Sequence, residues 1–365
     1  MTLADPLRVV LVGAGLMGRA WRDVIEAAPG VELAGIADID PATAEAAAEA
    51  LARPVPTGTD GVALAAATGA RAIVNATVPE AHHPVTTAAL FAGLDVLGEK
   101  PVAPTVAEAL SLAAASEVTG RLFMVSQSRR WNPQLFALRA MAEDLGTLGA
   151  LTTEFFREAH FGGFREEMDH PLLVDMAIHP FDSARFVLGA EPVSAYCEAH
   201  NPPWSWFAGH ASATAVFEMT GGVRYTYTGS WVSPGRQTSW NGEWRLSGEK
   251  GSAHWDGDND PVVVGDVDPA PRPAAPHSGI EGALLVFTDA LRTGVPPMGE
   301  VHENVLSLAM VEAAVRSADT GRRVLIDDVL AEAHAEALRR ETHPDVRDAL
   351  AAWPSVREVL TARPS

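Results

Sequence analysis

Gly13, Gly15 and Gly18 form a G-x-G-x-x-G run in VLVGAGLMGRAW, directly after a β-branched segment and at the opening of a helical one. In that setting the glycines allow a tight turn, backbone approach to a pyrophosphate, and close helix–strand packing. The phosphates would sit on unpaired amides at the helix start, with Leu16 and Met17 completing the loop. Asp38 lies twenty residues past Gly18, where a carboxylate can bind both ribose hydroxyls. It would repel a 2′-phosphate, and its neighbour is Ile39 where an arginine would help hold one. NAD is therefore expected ahead of NADP.

Three later segments carry polar side chains suited to catalysis. A fourth strand ends in Asn75-Ala76-Thr77-Val78-Pro79, followed by His82 and His83, and a fifth ends in Gly98-Glu99-Lys100-Pro101. Ligands of open α/β sheets gather at these carboxyl ends, so both segments should face the nicotinamide. The third is Asp175-Met176-Ala177-Ile178-His179, whose i, i+4 spacing puts a carboxylate and an imidazole on one helix face. Taken singly, a lysine before a proline is more often merely exposed than catalytic. The Asp/His pair is as readily a helix-surface pair.

Together the segments resemble the glucose-fructose oxidoreductase/inositol dehydrogenase (Gfo/Idh/MocA) family. The likeness is carried by VGAGLMG, the Thr77/Pro79/His82 segment, GEKP at 98–101 and DMAIH at 175–179, and it spans roughly residues 7–330. The resemblance implies a Rossmann domain followed by an α+β domain with a large open sheet, and transfer of a hydride between nicotinamide and a carbinol or carbonyl carbon of a sugar, inositol or related polyol. It implies that Lys100 hydrogen-bonds the reacting oxygen, often beside a cis peptide bond. It makes His179 the general acid/base, Asp175 its support, and Glu99 a residue lining the cofactor pocket. Thr77, Pro79, His82 and Lys100 itself join the cofactor contacts, beside Ile39 next to Asp38. The chemistry is self-consistent without a metal. A histidine titrating near neutrality suits proton removal from a hydroxyl, and an ammonium beside the same oxygen stabilises the alkoxide. Relatives of the same fold include NAD-dependent glycoside hydrolases and non-catalytic NAD-sensing regulators, which stand as alternatives.

These residues need elements to place them. Strand-like runs at 8–12, 32–37, 72–76, 95–97 and 122–126 alternate with helical segments at 42–51, 84–91 and 106–117, as in a doubly wound parallel sheet covered on both faces. Asp40 before Pro41, and Thr105 before Glu108, read as helix caps. The pattern changes near residue 128. After a helix following Pro133 come strand-like runs at 151–157, 192–198, 211–219, 223–229 and 244–247, which suggest a mostly antiparallel sheet. Residues 257–276, rich in Pro, Gly and Asp, read as a surface loop. Helices are expected at 280–291 and 301–319, then a charged helical tail interrupted by Pro344 and Pro354. The expected division is a Rossmann domain over 1–127, a substrate and dimerisation domain over 128–330 and a helical extension over 331–365.

Arg157, His160, Arg165 and His170 precede the Asp/His helix, and Arg129, Arg130 and Trp131 open the second domain. Of these, Arg157 and His160 are taken as substrate contacts beside Lys100, Asp175 and His179. Trp204, Trp206, Trp231, Trp240, Trp244 and Trp255 could pack on sugar C–H faces, although tryptophans in a sheet are more often core or interface. The arginines are either surface charges or a basic cluster that would attract a sugar acid. His200, His210, His254 and His277 show no ligand spacing.

Composition closes off several classes. With 27 Lys and Arg against 47 Asp and Glu, the net charge of −20 disfavours a nucleic-acid partner. Cys197 is the single cysteine, which removes intrachain disulfides, dithiol redox centres and thiolate zinc sites. No leader or membrane-length apolar run is evident, so a cytoplasmic location is expected. The resemblance suggests a homodimer or homotetramer through the open sheet, an uncovered apolar face needing a partner.

Overall fold

The computed structural model describes residues 5–267 and 277–362, so residues 268–276 of the expected loop lie outside the described residues. The elements of the first third are β1 (Leu7–Val12), α1 (Leu16–Ala27), β2 (Val31–Ala37), α2 (Pro41–Glu49), β3 (Thr57–Gly58), α3 (Gly61–Thr68), β4 (Ala72–Asn75), α4 (Pro79–Phe91), β5 (Asp95–Glu99), α5 (Val106–Thr119) and β6 (Phe123–Ser126). Next come α6 (Pro133–Asp144), β7 (Leu148–Phe156), α7 (Phe164–Glu167), a π-helical turn over Leu172–Ala177 and α8 (Ile178–Leu188). The strands β8 (Pro192–His200), β9 (Ser212–Met219), β10 (Arg224–Ser230), β11 (Glu243–Gly248), β12 (Gly251–Trp255) and β13 (Val262–Gly265) follow. The chain ends with α9 (Gly279–Thr293), α10 (Val301–Thr320), β14 (Val324–Leu325), α11 (Ile326–Arg340), α12 (Pro344–Ala352) and α13 (Val356–Thr361).

Two compact units form, and they do not follow the linear division of the chain. One comprises Met1–Ser128, Gly279–Val305 and Ala331–Ser365; the other comprises Arg129–Ser278 and Leu306–Leu330. The segment 279–305 and the C-terminal helices thus pack with the first unit.

The first unit holds a six-stranded sheet in the order β3-β2-β1-β4-β5-β6, parallel throughout. Strands β1, β4, β5 and β6 are buried on both faces, as the continuous apolar runs predict. The caps are as read: Asp40 accepts from Ala42 N, and the Thr105 hydroxyl accepts from Glu108 N. Two differences concern α3 and α4. Gly61–Thr68 shows no amphipathic period yet forms a helix, started by Asp60 accepting two amides and ended by Gly69 at φ +67°. The helix expected from residue 84 begins at Pro79, whose ring presets the first turn, and Pro84 lies inside it at the cost of the bond to the exposed Glu80 carbonyl. The tail is bound to this unit. Trp353 donates to Glu117 on α5, Ser111 bonds Glu341, and His343 stacks on Phe91.

The second unit holds an eight-stranded sheet ordered β13-β12-β11-β7-β10-β9-β8-β14, antiparallel apart from the β7–β10 pair. β13 lies within the stretch expected to be all loop. Its Val262-Val263-Val264 run has the β-branched character of an edge strand despite the turn residues around it. The inner face carries Leu151, Phe155, Phe217, Tyr225 and Tyr227 against Phe181 of α8, whose ring lies 4.8 Å from Phe217 and 5.4 Å from Tyr227. The outer face differs from the apolar surface expected. Its neighbours in register are Arg245, Thr152, Thr226, Val216 and Tyr196, then Glu154, Thr228 and Thr214. The alternating pattern has sent the large apolar side chains to the covered side. Beneath α8, Arg130 pairs with Asp182 at 2.6 and 2.9 Å, and Ser307 bridges Asp182 to Arg185. Among the described residues no helix is long and apolar enough to cross a membrane.

Candidate active site

At the carboxyl end of β1 the backbone itself sets the geometry. Gly13 has φ +93°, and a Cβ there would lie 2.7 Å from the Ala76 carbonyl and the Thr77 amide. A Cβ on Gly18 would lie 2.0 Å from the Gly13 oxygen. Those two glycines are required by the protein's own packing. Gly15 is different: its φ of −66° lies outside the left-handed region, and nothing lies within 4 Å of where its Cβ would be. The space above Gly15 fits the close approach of a pyrophosphate, at the start of a helix that has no side-chain cap. Around it Leu16, Ile39 and Val78 are 75%, 94% and 59% exposed, an apolar rim at the ends of β1, β2 and β4. Met17 is exposed beside them. Asp38 accepts from Ala14 N at 2.7 Å and Asp40 N at 3.0 Å, bracing the loop and keeping lone pairs for other donors.

The ends of β4 and β5 are joined from below. Asn75 Oδ1 accepts from the Thr77 hydroxyl at 2.7 Å, and its Nδ2 donates to Thr86. His82, 2% exposed, places Nδ1 2.6 Å from the Pro101 carbonyl and Nε2 3.1 Å from that of Thr77. Burial pulls its pKa down, against the opposing pull of those carbonyls. Glu99 is buried, accepting from Trp21 Nε1 at 2.8 Å and from the Lys100 amide at 3.1 Å. Burial raises its pKa, with the indole, the Lys100 charge and that amide acting the other way. His82 and Glu99 therefore reach the dinucleotide end through the backbone of Thr77, Lys100 and Pro101. The Lys100–Pro101 peptide is cis. Pro79, half-buried, opens α4 directly beyond Thr77.

In the second unit the DMAIH motif crosses a change of helix type. Asp175 belongs to the π-helical turn and His179 to the first turn of α8, so the regular i, i+4 spacing expected does not hold across the motif. Such turns are frequent at functional sites because they re-aim side chains. His179 is 8% exposed. Asp175 accepts from Arg165 Nε at 2.7 Å. Arg129 lies near enough for Asp175 to act on its charge, and burial pulls the Arg129 pKa down to about 10. Arg157 lies 4.6 Å over the Trp240 ring and donates to the Thr238 carbonyl at 2.8 Å. His160 is exposed and stacked on Trp206 at 3.7 Å. His170 instead binds Asp319 at 2.9 Å. The tryptophans divide: Trp231, Trp244 and Trp255 are core, whereas Trp204 and Trp240 are exposed and Trp206 is half-buried.

A parallel sheet with a glycine loop open over Gly15 defines a dinucleotide-binding class of protein. The comparisons with known proteins agree. Residues 7–127 match the family described as oxidoreductase family, NAD-binding Rossmann fold, and residues 138–254 match the GFO/IDH/MocA C-terminal domain. The chain belongs to the Gfo/Idh/MocA family of NAD-binding oxidoreductases. It is 27% identical to a D-apiose dehydrogenase of Paraburkholderia graminis, covering 92% of this chain and 93% of that protein. It is 30% identical to an inositol 2-dehydrogenase of Paenarthrobacter aurescens over 60% of this chain and 66% of that one. An oxidoreductase from Agrobacterium radiobacter, solved with NAD+, L-tartaric acid and magnesium, shares the fold with a TM-score of 0.79 at 21% identity, over 89% of this chain and all of that one.

Trp21 went unnoticed in the sequence because its helical position reads simply as buried core. A buried carboxylate at Glu99 needs a donor, and that need was the available signal. The Trp21–Glu99 contact predicts a pH-dependent defect. A carboxyl with a raised folded-state pKa adds stability at low pH, and that contribution is lost as pH rises through the folded pKa. Trp21→Phe leaves Glu99 Oε1 without its indole donor and should cost about 1–3 kcal/mol beyond any packing loss at pH 8. The extra deficit should shrink as pH falls toward the ordinary carboxylate range. Urea unfolding of both proteins at pH 8 and pH 5 checks this, and a deficit independent of pH would contradict it.

Proposed function

We propose that this chain is an NAD-preferring dehydrogenase or reductase acting on a CH–OH carbon of a sugar, inositol or related polyol. The observation that carries the reading is the glycine loop open over Gly15 at the end of β1, with Lys100 directly past the end of β5, two strands along the same sheet. Relatives named inositol and D-apiose dehydrogenases support the substrate class. Gly13, Gly15, Leu16, Met17, Gly18, Asp38, Ile39, Thr77 and Pro79 would hold the cofactor, with His82 and Glu99 supporting that end. NAD, when bound, supplies a hydride acceptor. Lys100 stabilises negative charge on the substrate oxygen, His179 takes the hydroxyl proton, and Asp175 supports the imidazolium that results. Asp38 beside exposed Ile39 favours an unphosphorylated ribose. The reading extends to a homo-oligomer formed over the outer sheet face, supported by the small side chains of Thr152, Thr226 and Val216 side by side in register.

Lys100→Met should abolish NAD reduction, followed at 340 nm across a panel of inositols, aldoses and sugar acids, while NAD affinity stays within a few-fold. Near-normal kcat would overturn the assigned role. Asp38→Ala should lower the NAD/NADP ratio of kcat/KM by about tenfold or more, equivalent to about 1.4 kcal/mol. An unchanged ratio would move the ribose contact elsewhere.

A further inference from the structure

Three arginines of the second unit converge on one place. Arg165 pairs with Asp175 and lies 5.6 Å over the ring of Phe161, which in turn lies 6.4 Å from the ring of Trp240. Arg157 stacks on Trp240, and Arg129 donates to the Trp240 carbonyl. The circuit closes at Asp175, whose charge acts on Arg129. Two guanidiniums thus share the Asp175 carboxylate, and the third, Arg157, meets them through Trp240, in a protein of net charge −20.

One of them has donor capacity unused. Arg157 spends one terminal nitrogen on Thr238, but its Nε is buried with no acceptor among the described residues. The Trp231 indole N–H is likewise buried without an acceptor there. Glu158 and Val232 pair across the strands, so Arg157 and Trp231 share the opposite face. Buried donors without acceptors are costly and uncommon, and a ligand oxygen would relieve that of Arg157.

We propose that the substrate carries a carboxylate held by Arg157, with Arg129 adding to the positive field, so that this chain acts on an aldonic or uronic acid. The proposal rests on the dehydrogenase reading given above. A planar carboxylate matches the guanidinium edge in two parallel hydrogen bonds. The Trp240 ring, 41% exposed, fixes the plane of the guanidinium and leaves a flat apolar wall for the sugar's C–H face. One planar group with a single charge fits one available guanidinium edge better than a phosphate dianion does, because Arg165 is already neutralised by Asp175.

The test is steady-state NAD reduction with matched compounds: D-gluconate and D-glucuronate against D-glucose, D-sorbitol and myo-inositol, with glucose 6-phosphate alongside. The acids should be preferred in kcat/KM by roughly 10- to 100-fold, with a KM that rises with salt. Arg157→Met should collapse that preference to a few-fold, and Arg157→Lys should retain part of it. Arg236→Gln, an exposed arginine outside the cluster, should leave the preference intact. Equal or better turnover of neutral polyols or of the phosphate overturns the carboxylate assignment and leaves the dehydrogenase reading standing, as does an Arg157→Met enzyme that keeps its acid preference. If none of these compounds reduces NAD and none of their keto forms oxidises NADH, the dehydrogenase reading falls and the assignment falls with it.

Discussion

The cofactor end depends on one close approach, the passage of the β1–α1 turn against the end of β4. Gly13 and Gly18 permit it because no side chain would fit beside the Ala76 carbonyl or the Gly13 oxygen. From that contact a series of short polar links runs outward. Asp38 holds Ala14, Asn75 holds Thr77, and His82 lies between the carbonyls of Thr77 and Pro101. On the other side Trp21 reaches from α1 to Glu99, whose second oxygen takes the Lys100 amide. The glycine loop and the candidate catalytic lysine are therefore parts of one braced structure. The bracing fixes the backbone from which the Lys100 side chain extends.

The second unit solves a similar problem with buried charge. Arg130 and Asp182 are each about 1% exposed, and the pair is joined to Arg185 through Ser307 under α8. Such a network is costly when half-formed and restrictive when complete. Above it the π-helical turn departs from regular α geometry where Asp175 lies, and Asp175 pairs with Arg165. A helix anchored this firmly at its buried side can carry a local irregularity at its start.

Much of this was legible in the residues. The strand order of events in the first third, the caps at Asp40 and Thr105, and the change of pattern near residue 128 follow from local rules that the tertiary structure leaves intact. What escaped was decided by distant partners or by competing local signals. Gly61–Thr68 is alanine-rich without a polar face, so periodicity gave nothing to detect. The π-helical turn is invisible in a sequence whose Asp175 and His179 sit at ordinary helical spacing. Glycines and aspartates around residues 257–266 masked the edge strand β13. At the site, the glycine motif announced itself, but the partners of Glu99 and Asp175 did not. Trp21 is 78 residues from Glu99 along the chain, and no local pattern encodes such a pairing.

The central claim is that the space over Gly15 is kept open for a dinucleotide, since no neighbouring atom of the protein excludes a side chain there. Titration calorimetry of NAD against the wild-type chain and Gly15→Leu, with thermal unfolding of both, tests it directly. The account predicts that the variant unfolds within about 2 °C of the wild type while its NAD affinity falls by about 100-fold or more. A stable variant that binds NAD as tightly as the wild type would contradict it.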